Sequence, residues 1–219
     1  ESNGEKIDLV IGTKFPSYGA QHDNKVVWLI HQYRQAYDLY DTQFGLHNEP
    51  NGHRIREVIK RYDEECLGEA KKIYGNSINV SARLKKYNGI DSEPLYHPPS
   101  LVGKYECENY EKTILSVGRL DKLKRNDLLI ESLKYADKNV KALIAGRGPE
   151  MENLKKLAHS LGVEKRVQFL GFVSDEELIK LYANAGAVYF APVDEDYGYI
   201  TLEAFLSKKP AHICLFRLP

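Results

Sequence analysis

Three features of this 219-residue chain predict an α/β protein built on doubly wound parallel sheets. Short apolar runs rich in β-branched residues alternate with amphipathic helical patterns, most regularly after residue 112. The runs are nearly continuous rather than alternating, as strands buried on both faces of a parallel sheet require. The connecting loops are short and several carry glycine, which suits the turns of a βαβ rhythm.

The first run, residues 7–11, is closed by Gly12, and a second covers residues 25–30. Pro16 and Gly19 mark a loop between them. From Ile55 onward, Val58, Ile59, Tyr62, Cys66, Ala70 and Ile73 recur at helical spacing among charged residues, predicting a long amphipathic helix broken near Gly68. Ser77 is placed to cap a shorter helix ending near Tyr87, where Asn88-Gly89 supplies a stop. Further strands are predicted at 113–117, 141–145, 167–170 and 187–191. Helices are predicted at 127–135, at 150–161, after the capping box Ser174-Asp175-Glu176-Glu177, and at 200–207. Pro98 and Pro99 stiffen the stretch between the two halves. This gives a first domain over 1–95, a linker over 96–104 and a second domain over 105–219.

Composition excludes several classes. Lys and Arg number 31 against 31 Asp and Glu, so the basic footprint of a nucleic-acid binder is absent. The longest apolar runs, such as 26–30, fall far short of the ~20 residues of a membrane helix. Three cysteines, Cys66, Cys107 and Cys214, are too few and scattered for a disulfide framework or zinc site, which points to a reducing compartment. There is no signal peptide, and the only methionine is Met151, so the chain reads as part of a longer protein.

Strand-end loops are where such folds hold ligands. After 113–117 comes Gly118, then Arg119 and Lys124, cations that with the next helix N-terminus suit a phosphate group. Alone, such a loop is more often plain solvated surface. Gly146-Arg147-Gly148 begins like a dinucleotide fingerprint, but Met151 takes the third glycine position, and a dehydrogenase is disfavoured. The run from Asp194 to Glu203 places Glu195, Gly198 and a helix start together. Helix amides bind phosphate and carboxylates accept from sugar hydroxyls, while acidic helix capping is the plain alternative.

At this point the residues carry a resemblance. The stretch EDYGYITLEAF, with seven residues between Glu195 and Glu203, is similar to the signature of family-4 (group 1) retaining glycosyltransferases of the GT-B fold. SVGRLDKLKRNDLLIESL, LIAGRGPEMENLKKLA and VQFLGFVSDEELIKLYANA follow the family's order and spacing, and the likeness covers roughly residues 7–210. It implies two Rossmann-like doubly wound domains, both incomplete here, with a nucleotide-diphosphate sugar bound in the second, across a cleft from the acceptor.

By that resemblance Arg119 and Lys124 would hold the donor diphosphate beside Gly118 and Gly146. Glu203 would meet the nucleotide ribose, and Glu195 the donor sugar's hydroxyls. The amides around Tyr199 and Ile200, after Gly198, would touch phosphate, and Phe172 and Val173 would border the base. His31, after the strand 26–30, matches a histidine near the sugar's reacting carbon, and Arg34 lies on the acceptor side. The catalytic set is then His31, Glu195, Arg119 and Lys124. The implied reaction moves a sugar to an acceptor hydroxyl with retention, with no metal and no cofactor beyond the nucleotide sugar. The acceptor would be a glycan or a lipid-linked one, in polysaccharide assembly in the cytoplasm at the inner membrane face, with peripheral membrane association.

Two departures stand out. Arg125 replaces the family's usual glycine, and the likeness stops after Pro210, before a tail that reads as frame-shifted. An internal fragment, either active or reduced to a nucleotide-binding module, is the expectation. Asp194 and Asp196 could alternatively form the Asp-x-Asp pair of a metal-dependent transferase.

Overall fold

The structure is a computed structural model and describes residues 4–213. The described residues divide between His97 and Pro98 into two compact units.

The first unit runs β1 (Val10–Lys14), β2 (Lys25–His31), α1 (Gly52–Gly68), β3 (Lys72–Gly75), α2 (Ile78–Asn88) and β4 (Glu93–Pro94). Its strands are all parallel, in the order β1-β2-β3-β4. Val27 and Leu29 of β2 are fully buried among Ile73, Leu67, Val80 and Leu84, the centre of this core. The Ser77 side chain accepts from the Val80 amide and Gly89 adopts the left-handed conformation, so α2 starts and stops where its capping residues dictate.

Two expectations are corrected here. The first strand lies at Val10–Lys14 rather than 7–11, and as an edge strand it is not buried on both faces: Ile11 is 55% exposed. The break expected near Gly68 is where α1 ends, but the chain beyond it is not helical: Lys71 N donates to Lys25 O (2.8 Å) as β3 begins, with Ile73 opposite Val27. The four residues of β3 are too few for a period to show, and pairing with the edge of β2 makes them a strand.

The second unit runs β5 (Thr113–Val117), α3 (Asn126–Ser132), β6 (Lys141–Ala145), α4 (Met151–Ser160), β7 (Val167–Gly171), α5 (Asp175–Asn184), β8 (Ala187–Phe190), α6 (Tyr199–Leu206) and β9 (Ala211–Ile213). The five strands are parallel in the order β7-β6-β5-β8-β9. Leu129, Ile130 and Leu133 of the α3 region and Leu154 and Ala158 of α4 cover Ala142 and Ile144 on one face. Tyr182 of α5 and Ala204 of α6 cover Leu115 and Val188 on the other. Helices on both faces make the sheet doubly wound. The expected capping box at Ser174 and Glu177 opens α5.

The resemblance ended at Pro210, yet residues 211–213 form β9 on β8; the remainder of that tail, with Cys214, lies outside the described residues. Cys66 and Cys107 are free thiols. Among the described residues no helix is long and apolar enough to cross a membrane.

Candidate functional site

In the second sheet the chain winds outward from β5 to β7, then returns to the other side of β5 as β8. The order therefore reverses between β5 and β8, and the crevice beyond the carboxyl ends of those strands is where open α/β sheets bind ligands. Two loops meet there, residues 118–125 after β5 and 191–198 after β8. Val193 N donates to Leu123 O (2.8 Å), and the Tyr189 hydroxyl donates to Arg125 O (2.6 Å).

Across this junction Lys124 Nζ pairs with the Glu195 carboxylate, with 31% and 29% of the two side chains exposed. The ammonium also lies 6.0 Å from the centre of the Phe190 ring. Asp121 holds the loop by accepting from the Lys124 amide (3.2 Å). Arg119 reaches outward, 73% exposed and 4.0 Å from Asp121, as a cation at the mouth of the crevice. Arg125 sits at φ 52°, a left-handed conformation that favours glycine, which gives the physical sense of the residue type expected there.

Gly146 has a packing constraint of its own. At φ +140° it packs against the neighbouring loop, and a Cβ there would stand 1.8 Å from Gly118 O. The loop after β6 is thereby pressed onto the loop after β5, with Leu120 N donating to Arg147 O (3.0 Å). Gly198, at φ +77°, is the N-cap of α6. It brings the chain into Tyr199 and Ile200 at the first turn of the helix.

Glu203, further along α6, is held from below. The Tyr182 hydroxyl donates to Glu203 Oε2 (2.7 Å), and Tyr105 packs edge-on against Tyr182 with ring centres 5.7 Å apart. Burial, then the nearby Glu203 charge, pushes both phenols far up, so both stay protonated and Tyr182 is the donor to Glu203. Sequence reasoning missed both tyrosines. Tyr182 sits in the apolar stripe of α5, a phenol where the helix otherwise presents aliphatic residues. That one polar atom in a core face was the available signal.

Phe172, 75% exposed, and Val173 follow β7 at the sheet edge, beside a cavity of about 420 Å³ under α5 that Leu143, Leu170 and Leu181 also line. His31 and Arg34 belong to the first unit. His31 ends β2, exposed, and its Nδ1 lies 3.0 Å from Gln32 O. A carbonyl only accepts, so Nδ1 carries the proton and Nε2 of the neutral ring is an acceptor. Arg34 is held by Asp38 through Nε (2.8 Å) and an Nη nitrogen (2.6 Å), and Asp38 also takes Arg83 (3.3 Å). Thus Gly118, Arg119, Lys124, Glu195, Gly198, Tyr199 and Ile200 gather at one switch point, with Glu203 along the same helix and Gly146 behind it. Among the described residues no three His, Cys, Asp or Glu side chains form a ready metal ligand set.

A doubly wound sheet with cations and a carboxylate at its switch point is an α/β architecture that binds its ligand in the crevice beyond the strand ends. Residues 102–212, just over half of the chain, match the family of glycosyl transferases group 1, and the chain belongs to that family. An uncharacterized glycosyltransferase of Methanocaldococcus jannaschii is 41% identical over 102 residues, 46% of this chain and 26% of its own length. The N-acetylgalactosamine-N,N'-diacetylbacillosaminyl-diphospho-undecaprenol 4-alpha-N-acetylgalactosaminyltransferase of Campylobacter jejuni is 34% identical over 133 residues, 58% of this chain and 34% of its own. Among solved structures, WaaG, a glycosyltransferase involved in lipopolysaccharide biosynthesis, superposes with TM-score 0.68 at 18% identity, covering 88% of this chain and 59% of that one. Anabaena HepE in complex with UDP and glucose gives TM-score 0.67 at 18% identity, with the same coverage of 88% and 59%. The fold is GT-B, with parallel sheets of the Rossmann-like kind. The matched regions span only 26% and 34% of the two curated relatives.

Proposed function

We propose that the chain carries the donor site of a family-4 retaining glycosyltransferase that moves a sugar from a nucleotide-diphosphate sugar to an acceptor hydroxyl. The observation that carries this reading is the junction of the Arg119–Lys124 loop with the Glu195–Gly198 loop at the sheet's switch point. A nucleotide-diphosphate sugar is suited by cations for its phosphates, a carboxylate for its ribose and a second carboxylate for the transferred sugar. Lys124 and Arg119, Glu203 and Glu195 supply them in that order.

In the transfer, the bond between the anomeric carbon and the diphosphate oxygen breaks, a bond to the acceptor oxygen forms, and the acceptor's hydroxyl proton passes to the departing diphosphate. Negative charge builds on the departing diphosphate, where Arg119 and Lys124 would each contribute roughly 1.5–3 kcal/mol. With two side-chain cations and the first turn of α6 doing this work, the reaction needs no metal. The first unit is assigned the acceptor side, with His31 at the reacting carbon and Arg34 beside the acceptor. These two roles rest on the family resemblance. The Campylobacter relative, whose name describes transfer to an undecaprenol-linked glycan, supports a glycan or lipid-linked acceptor, and a meeting place at the cytoplasmic face of a membrane rests on the family resemblance alone.

Thermal unfolding with UDP, GDP, ADP and their sugar conjugates, with and without EDTA, tests the site. A ligand at 100 times its Kd adds about 2.7 kcal/mol, a visible rise in Tm. One nucleotide raising Tm regardless of EDTA supports the reading, and no response to any of them refutes it. Dependence on a divalent ion would instead favour an Asp194–Asp196 metal site. The anomeric configuration of the product, read by NMR, tests retention.

A further inference from the structure

The Lys124–Glu195 pair has a consequence for which ligands the site accepts. Lys124 is the half-buried cation of the crevice, and a carboxylate of the same protein already engages it. A phosphate that takes Lys124 comes up against the Glu195 carboxylate and either displaces it or shares the ammonium with it, so Glu195 loses all or part of an ion pair in a partly dried setting and faces the phosphate's negative charge. What happens next depends on the ligand. A donor that carries a sugar offers hydroxyl groups, which donate to that carboxylate and compensate it. At the same place a bare nucleoside diphosphate presents only the acceptor oxygens of its terminal phosphate and more negative charge.

We infer that Glu195 is a specificity-determining residue that favours sugar-bearing nucleoside diphosphates over bare ones by competing for Lys124. The same competition assists turnover, because once the sugar has left, Glu195 regains Lys124 and weakens the hold on the product. This rests on the proposed donor site, and it predicts something that site alone does not. Removing a carboxylate counted among the ligand-binding residues should tighten the binding of one class of ligand. Arg119, exposed and only at the margin of contact with Asp121, has no such competitor of comparable strength.

The test is calorimetric titration of the chain, of Glu195→Gln and of Glu195→Asp with pyrophosphate, UDP, GDP, ADP, UDP-glucose and GDP-mannose. For the bare nucleotide that wild type binds, Glu195→Gln should lower Kd by on the order of three- to tenfold at low salt. The gain should shrink as salt rises and be absent for the sugar conjugate, so discrimination between the two falls. Glu195→Asp keeps the charge and should keep the wild-type preference. If wild type binds nucleotide and Glu195→Gln leaves the bare form unchanged or weaker, the inference fails while the donor site stands. Equal gains for bare and sugar-bearing ligands, or an equal gain in Glu195→Asp, also overturn it. Binding of no probe by any form overturns both.

Discussion

In the first unit the Asp63 carboxylate is fully buried and accepts from the hydroxyls of Tyr18 (2.5 Å) and Tyr37 (2.7 Å), while the buried Lys25 reaches Glu69 (2.7 Å). In the second unit the Lys124–Glu195 pair keeps about a third of each side chain in solvent, and Arg119 keeps most of its own. The contrast separates two uses of charge. A buried carboxylate held by two phenols has no surface to offer a ligand, and removing a partner strands polar groups in the core. A half-open pair at a strand end is worth little to the fold, and an arriving anion can exchange for one member.

The largest break in that comparison is Asp63→Ala, which leaves two buried phenols without their acceptor and should cost about 3 kcal/mol or more, measured by urea unfolding. Lys124→Ala should instead leave stability within about 1 kcal/mol while weakening nucleoside diphosphate binding by about ten- to a hundredfold, read by titration. Equal stability losses in the two variants would erase the distinction.

Asp63 also predicts a pH effect. Burial outweighs its phenolic hydrogen bonds and holds its carboxyl above the ordinary value of 3.8. A raised carboxyl favours the protonated folded form. Its contribution is therefore full below about pH 4 and is lost as pH rises through the raised value. Asp63→Asn should remove that decline, and parallel pH–stability curves for the two proteins would refute it. Tyr182→Phe removes one hydrogen bond to Glu203 and should cost about 1 kcal/mol, with weaker preference for ribonucleotides over 2′-deoxyribonucleotides in titration. The smallest expected effect is Arg119→Ala. An exposed loop cation should change stability by no more than about 0.5 kcal/mol, while nucleotide affinity still falls.

Much of this contrast is legible in the residues, and part of it is not. The strand at 141–145, the Ser77 and Ser174 caps and the Gly89 stop are local, so periodicity and side-chain chemistry specify them. Arg119, Lys124 and Glu195 were legible as charged residues in strand-end loops, and their roles, with that of Glu203 in α6, came from the family resemblance. The exposed edge of β1 and the strand at Lys72–Gly75 were not legible, because a short apolar run does not say which neighbour it finds. Nor was the purpose of Gly146 visible, since its constraint comes from a backbone oxygen on another loop.

The sequence by itself determined the order and kind of most elements and the α/β class, since these follow from patterns within a few turns of chain, and it supplied the candidate site residues through the family resemblance. Only the tertiary structure decided that β8 lies beside β5. That adjacency joins Lys124 to Glu195 across 71 residues of sequence and sets Tyr182 under Glu203 across 21. Such contacts depend on how strands distant in sequence bury both faces together, and no local pattern carries that choice.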